Sequence, residues 1–190
     1  MSLALQHAFT TDAEYLDQEA SASVKHEYVD GEIYVMAGAG ERHNRIALNA
    51  AYRFRTATRG GPCGVYIADM KLRIAAQNSF YYPDVMLACQ PDDGHPLYKT
   101  APCILVEVLS PATAAIDRRE KWLAYRNIES LTAYLLVDTE QRHVDYYQRD
   151  EAGAWRQGVL EDNEIVSFRC GALTIPLSLD DLYEDVRFAG

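Results

Sequence analysis

Two acidic residues stand where an acid is costly. Glu107 interrupts the apolar run Cys103-Ile104-Leu105-Val106-Glu107-Val108-Leu109, and Asp84 follows Pro83 at the head of Val85-Met86-Leu87. A lone ionised carboxylate inside a buried strand loses its hydration, so each acid needs a cation, a partner or a proton. Two carboxylates on adjacent rigid strands, with positions left open for water and a phosphate oxygen, suit a hard divalent ion such as magnesium. Ion pairs with arginines elsewhere in the chain answer the same need. Lys121 follows Asp117 by four residues, one helix after Glu107. It can bring an ammonium to the same strand ends, where it would stabilise charge on a phosphoryl group, or it can pair with Asp117 at i, i+4 on a solvated helix.

These residues need elements to hold them. Thr11-Asp12-Ala13-Glu14 has the spacing of a capping box and predicts a helix running to about residue 20. Asp30-Gly31 lies between two β-prone runs and predicts a hairpin that carries Glu27 on its first strand. Over 41–58, His43, Ile46, Ala47, Ala50 and Phe54 recur at helical steps, while Arg42, Arg45 and Arg53 fall on another stripe. Strands are expected over 65–67, 71–75, 80–88 and 103–109, then a helix over 114–127 that crosses to a strand over 132–137. Later antiparallel strands are expected over 143–148, 154–159 and 165–168. The pattern predicts an α/β (α+β) single domain over 1–190, with a central mixed sheet flanked by helices, an N-terminal hairpin and a C-terminal antiparallel extension.

Composition narrows the chemistry. The chain has 190 residues and a formal net charge of -10, which repels nucleic acid at long range. The charge is uneven: from Asp150 onward nine acids face three arginines, whereas 42–59 holds five arginines and no acid. A local basic face beside the acids is therefore expected. Cys63, Cys89, Cys103 and Cys170 are dispersed, form no CxxC pair, and are expected as reduced, buried thiols. Residues 1–9 lack a basic start and a long apolar stretch, so the cytoplasm is the expected compartment and no membrane association is expected. No Walker loop, dinucleotide-binding glycine pattern, G-x-S-x-G elbow or H-E-x-x-H motif occurs.

Taken in order, Glu27-Tyr28-Val29-Asp30-Gly31-Glu32, His43, Pro83-Asp84-Val85, Val106-Glu107-Val108-Leu109-Ser110-Pro111, Asp117, Lys121, Tyr125 and Tyr134-Leu135-Leu136-Val137-Asp138 resemble the Uma-type restriction-endonuclease family, over nearly the whole chain. That family falls within the PD-(D/E)xK nuclease superfamily. The resemblance implies a restriction-endonuclease-like core, catalytic residues Asp84, Glu107 and Lys121, and a Mg2+ or Mn2+ ion held by Asp84, Glu107 and the Val108 carbonyl. It also aims His43 at the cleft and offers Glu27 as a third acid, both as auxiliary candidates. One departure stands out: the third position of the E-x-K element is Leu109, and Lys121 resembles a lysine relocated to the following helix. The implied activity is magnesium-dependent hydrolysis of DNA phosphodiester bonds, with a homodimer required to cut both strands. A nuclease-like binding module without turnover, or a metal-dependent phosphoesterase on small substrates, fits the acidic charge and Leu109 as alternatives.

Overall fold

The computed structural model describes residues 10–36, 38–90, 93, 95–111 and 114–188. Residues 1–9, read above for a targeting segment, lie outside the described residues. In chain order the elements are α1 (Asp12–Ser21), β1 (His26–Val29), β2 (Glu32–Val35), α2 (Glu41–Ala57), β3 (Gly64–Ile67), β4 (Lys71–Ile74), β5 (Ser79–Tyr81), β6 (Val85–Ala88), β7 (Tyr98–Lys99) and β8 (Pro102–Leu109). Then come α3 (Ala114–Ile116), a π-helical turn (Asp117–Lys121), α4 (Trp122–Tyr125), β9 (Ala133–Asp138), β10 (Val144–Arg149), β11 (Trp155–Val159), β12 (Val166–Cys170), β13 (Leu173–Leu177) and α5 (Leu179–Leu182).

The expected single central sheet is two mixed sheets and a hairpin. A six-stranded sheet runs β11-β10-β9-β8-β6-β3, a five-stranded sheet runs β2-β1-β5-β4-β7, and β12 pairs with β13 alone. In the larger sheet only β8 and β9 are parallel, joined by the α3–α4 crossover. The expected hairpin is present: Asp30 and Gly31 both take positive φ, 47° and 93°, as a tight two-residue turn of this kind requires. It joins the smaller sheet through β1–β5 pairing. The capping box also forms, with the Thr11 hydroxyl accepting from the Glu14 amide and Glu14 accepting from the Thr11 amide.

The run over 80–88, read as one strand, is two. β5 ends at Tyr81 in one sheet and β6 starts at Val85 in the other, with Tyr82-Pro83-Asp84 as the passage between them. Pro83 explains the break, because it has no amide to give to a ladder. Asp84 therefore lies on the bend entering β6 rather than within a strand.

Alternation along the strands sorts the core. Ile104, Val106 and Val108 of β8, with Val85 and Leu87 of β6, face α2 and the β12–β13 hairpin. Leu105 and Leu109, with Met86 of β6, face the smaller sheet and α4, where Leu72, Tyr81, Ala124 and Tyr125 complete a second cluster. Glu107 has the parity of Leu105 and Leu109, so it enters this second layer and is buried there. Among the described residues, no helix is long and apolar enough to cross a membrane.

Candidate metal and nuclease site

The β6–β8 register pairs Val85 with Val106 and Met86 with Leu105. One step further along this antiparallel register, Asp84 stands opposite Glu107, with the parity of Met86 and hence on the same face. Asp84 Oδ2 accepts the Val108 amide at 2.7 Å. In a strand the amide and carbonyl of one residue point to the same edge, so the Val108 carbonyl also lies on the Asp84 side. The Leu109 carbonyl points the other way and accepts from the Thr139 hydroxyl.

Lys121 is no solvated helix lysine. Its side chain is 7 % exposed, and Nζ lies 3.0 Å from Glu27, 3.2 Å from Glu107 and 3.2 Å from Asp117. The expected continuous helix over 114–127 is interrupted by the π-helical turn over Asp117–Lys121, which turns Asp117 and Lys121 both inward. Such turns recur at functional sites because the extra residue re-aims side chains. Burial works against the charge on Lys121, yet the carboxylates of Glu107, Glu27 and Asp117 outweigh it and hold the amine well above its ordinary range. Lys121 is an ammonium here and cannot serve as a base.

Glu107 behaves in the opposite sense to an ordinary carboxylate. Burial pushes it well above its usual range, and the nearby acids Asp117, Asp84 and Glu27 add to the rise against the pull of Lys121. Its Oε1 accepts the Tyr125 hydroxyl at 3.0 Å. Burial raises that phenol too, so it stays protonated and remains a donor. Tyr125 was not singled out by sequence reasoning as a site residue. The signal was available, since Lys121 and Tyr125 are four residues apart on one helix and present the same face.

His43 sits in the first turn of α2. Its Nε2 lies 3.3 Å from Asp84 Oδ2. Burial lowers the imidazole pKa, but the hydrogen bond and charge of Asp84 more than reverse this and raise it. Glu27 reaches the cluster from β1 and also accepts the Tyr82 amide at 3.2 Å. The structure thus brings together all five named side chains, Glu27, His43, Asp84, Glu107 and Lys121, and adds Asp117 and Tyr125.

The basic rim is smaller than expected. Arg42 stays at this end of the sheet, donating to the Thr139 carbonyl at 2.6 Å, and Arg118 pairs with Asp145 on β10. Arg53 is instead drawn to the acidic C-terminal region, 3.0 Å from Asp181, and Arg45 pairs with Glu41 at 2.9 Å.

The donor set fits a hard divalent ion. Even with Glu107 protonated, three further carboxylates (Glu27, Asp84, Asp117) face the Lys121 ammonium and the His43 imidazole, so the cluster is rich in acidic oxygens in a largely buried setting. All the anionic ligands are oxygens, the donors that magnesium and manganese take. The acids do not close into a three-carboxylate cage. Among the described residues the only trio of metal-capable side chains whose ligand atoms lie within 4.8 Å of one another is Cys63, Cys89 and Cys170. A single ion in this cluster would therefore draw on at most two of these side chains at once, its remaining positions being left to backbone or water oxygens.

Comparison with known proteins gives this arrangement a family. The model described as "Putative restriction endonuclease" (Uma2) matches residues 12–177. Two uncharacterized proteins of Synechocystis sp. are similar to the chain. One, slr1290, is 37% identical over 176 residues, 92% of each chain. The other, sll1609, is 35% identical over 148 residues, 76% of this chain and 84% of its own. A crystal structure from Anabaena variabilis, described as a "putative nuclease belonging to DUF820", superposes with a TM-score of 0.73 at 16% identity, covering 92% of this chain and 97% of that one. At that identity it speaks for the fold alone, whereas the family match spans most of the chain: this protein belongs to the Uma2 family, whose description is "Putative restriction endonuclease".

Proposed function

We propose that the protein is a magnesium- or manganese-dependent endonuclease that hydrolyses DNA phosphodiester bonds. The observation that carries this reading is the apposition of Asp84 and Glu107 across the β6–β8 register, with Lys121 drawing Glu27 and Asp117 to the same point. Asp84, Glu107 and the Val108 carbonyl would hold the ion. When bound, the ion supplies Lewis acidity for attack of water on the phosphodiester and offsets charge on the phosphoryl oxygens.

The chain's own residues then have distinct work. Glu107 must give up the proton that burial favours, and the Lys121 ammonium beside it assists that ionisation. Tyr125 fixes the rotamer of Glu107 by donating to Oε1. Asp84 is oriented from two sides, by the Val108 amide and by His43, so little reorganisation is needed when a cation arrives. Lys121 also projects positive charge toward the strand ends, where negative charge grows in the transition state. It takes the role of the strand lysine that Leu109 replaces.

A single site of this kind cuts one strand, so double-strand cleavage calls for a homodimer with two-fold symmetry. The test is a supercoiled plasmid incubated with Mg2+ or Mn2+. Nicked circles that disappear in EDTA and in Asp84→Asn and Glu107→Gln support the reading, and linear product at early times supports the dimer. Intact plasmid with either ion, across sequence contexts and ionic strengths, would favour a binding module that retains the fold without turnover.

A further inference from the structure

The four cysteines, dispersed in sequence, converge on one point of the fold. Cys63 precedes β3 and Cys89 follows β6, and the antiparallel register places them opposite each other with Cα atoms 4.0 Å apart. Cys103 lies near the start of β8 and Cys170 ends β12, with Cα atoms 5.5 Å apart. The sulfurs pair as Cys63–Cys89 and Cys103–Cys170, which corrects the expectation of separate reduced thiols. The two pairs also touch each other: Cys89 Sγ and Cys170 Sγ are 2.9 Å apart. Two independent crosslinks require no such contact.

We propose that the reduced cluster is a four-thiolate site for a soft, tetrahedral divalent ion, zinc above all. Four sulfurs around zinc at about 2.3 Å stand about 3.8 Å from one another. The ligand atoms of Cys63, Cys89 and Cys170 already lie within 4.8 Å of one another, and Cys103 is bonded to the third of them. The β6–β8 register shifts between Leu87 and Ala88, which pair with Ile104 and Pro102, so Cys103 is the extra residue of β8 at that irregularity. Irregularities of this kind re-aim side chains, and Cys103 packs with the Ile104, Val106 and Val108 layer despite strict alternation. Cys103 and Cys170 are buried while Cys63 and Cys89 are half-buried, which gives an ion a route from solvent.

The site is separate from the nuclease site. Cys103 and Glu107 are four residues apart on β8, about 13 Å along the strand, so the cysteines occupy the opposite end of the same sheet. Their ligand class differs as well, sulfur here and oxygen there. Opening the disulfides needs a dithiol of the kind that exchanges with protein disulfides. Per bond, the reductant's two thiols become its own disulfide and two cysteine thiols are released. The four thiols then lose up to four protons as the metal binds, with no change in its oxidation state.

The experiment uses the full chain, reduced with a phosphine and freed of it without air, and titrated with Co2+ as a spectroscopic probe. The expected result is thiolate-to-metal charge-transfer and tetrahedral d–d absorption that saturates at one thiolate-bound Co2+ per chain, separate from any Co2+ on the carboxylates, and is bleached by Zn2+. Zn2+ should also slow the reaction of the thiols with an aromatic disulfide reagent at least tenfold. Cys170→Ser should weaken Co2+ binding at least tenfold, while Asp84→Asn should leave the absorption unchanged. The proposal is overturned if the reduced wild-type chain gives no thiolate absorption, if zinc leaves thiol reactivity unchanged, or if Cys170→Ser binds as tightly as wild type. The wild-type readouts decide the matter even if a cysteine variant fails to fold.

Discussion

Replacing Lys121 by methionine keeps an unbranched side chain of similar length and removes the ammonium. Three carboxylates, Glu27, Glu107 and Asp117, then lose a partner at 3.0 to 3.2 Å in a setting where the lysine itself is 7 % exposed. Removing one member of a buried ion pair costs about 3–5 kcal/mol. A typical domain has only about 5–15 kcal/mol in all, so the variant should be marginal in EDTA at neutral pH. The cost should shrink in acid, because the carboxylates left without the ammonium can relieve their repulsion by taking up protons. Magnesium should restore part of the loss, about 2.7 kcal/mol at a hundred times its dissociation constant. Urea unfolding of both proteins at pH 5.5 and pH 8, with and without Mg2+, reads all three effects. A loss below about 1 kcal/mol, the same at both pH values and indifferent to magnesium, would match a solvated surface lysine and contradict the buried pairing of Lys121.

Glu107→Gln should remove a penalty rather than a support. A carboxyl whose folded pKa is raised binds more protons folded than unfolded, so stability falls as pH rises from about 4.5 toward the folded value. In EDTA the variant should lack that fall, equalling or exceeding wild type at pH 8 in urea unfolding while losing magnesium binding by calorimetry. For His43, whose folded pKa is raised by Asp84 over the opposing effect of burial, the stabilisation is present in full below pH 6.5 and disappears as pH climbs through the folded value. Imidazole NMR titration should give a midpoint above 6.5 that drops in Asp84→Asn; an unchanged midpoint would contradict the pairing. Tyr125→Phe deletes one donor to a buried carboxylate and should cost about 1–3 kcal/mol, visible as a lowered urea midpoint with an unchanged slope.

Glu107 was legible in sequence because a lone acid inside an apolar strand has few explanations, and Asp84 because it follows a proline at the head of another. The Asp30-Gly31 hairpin and the Thr11–Glu14 cap were legible because their signals are local. The split of residues 80–88 was harder to see, since Phe80 to Ala88 is almost continuously apolar and period alone does not reveal a change of sheet. Pro83 carried that information. The burial of Lys121 depends on a π-helical turn, which arises where the Asp117–Lys121 segment packs under Glu27 from a distant hairpin, and no local pattern encodes such a contact. The cysteine cluster lay further out of reach. It exists only because β3 and β8 flank β6 and the β12–β13 hairpin packs on that face, so four residues spread over more than a hundred positions become neighbours through topology.

The claim on which the rest depends is that Asp84 and Glu107 share one hard cation with the Val108 carbonyl. Crystals soaked in Mn2+ and measured for anomalous scattering test it directly. A peak is expected at about 2.0–2.6 Å from one oxygen of each carboxylate and from the Val108 carbonyl, absent in Glu107→Gln. Anomalous maps with no peak there at saturating Mn2+, or with the Lys121 ammonium still within 3.2 Å of Glu107 and no ion alongside, would contradict it.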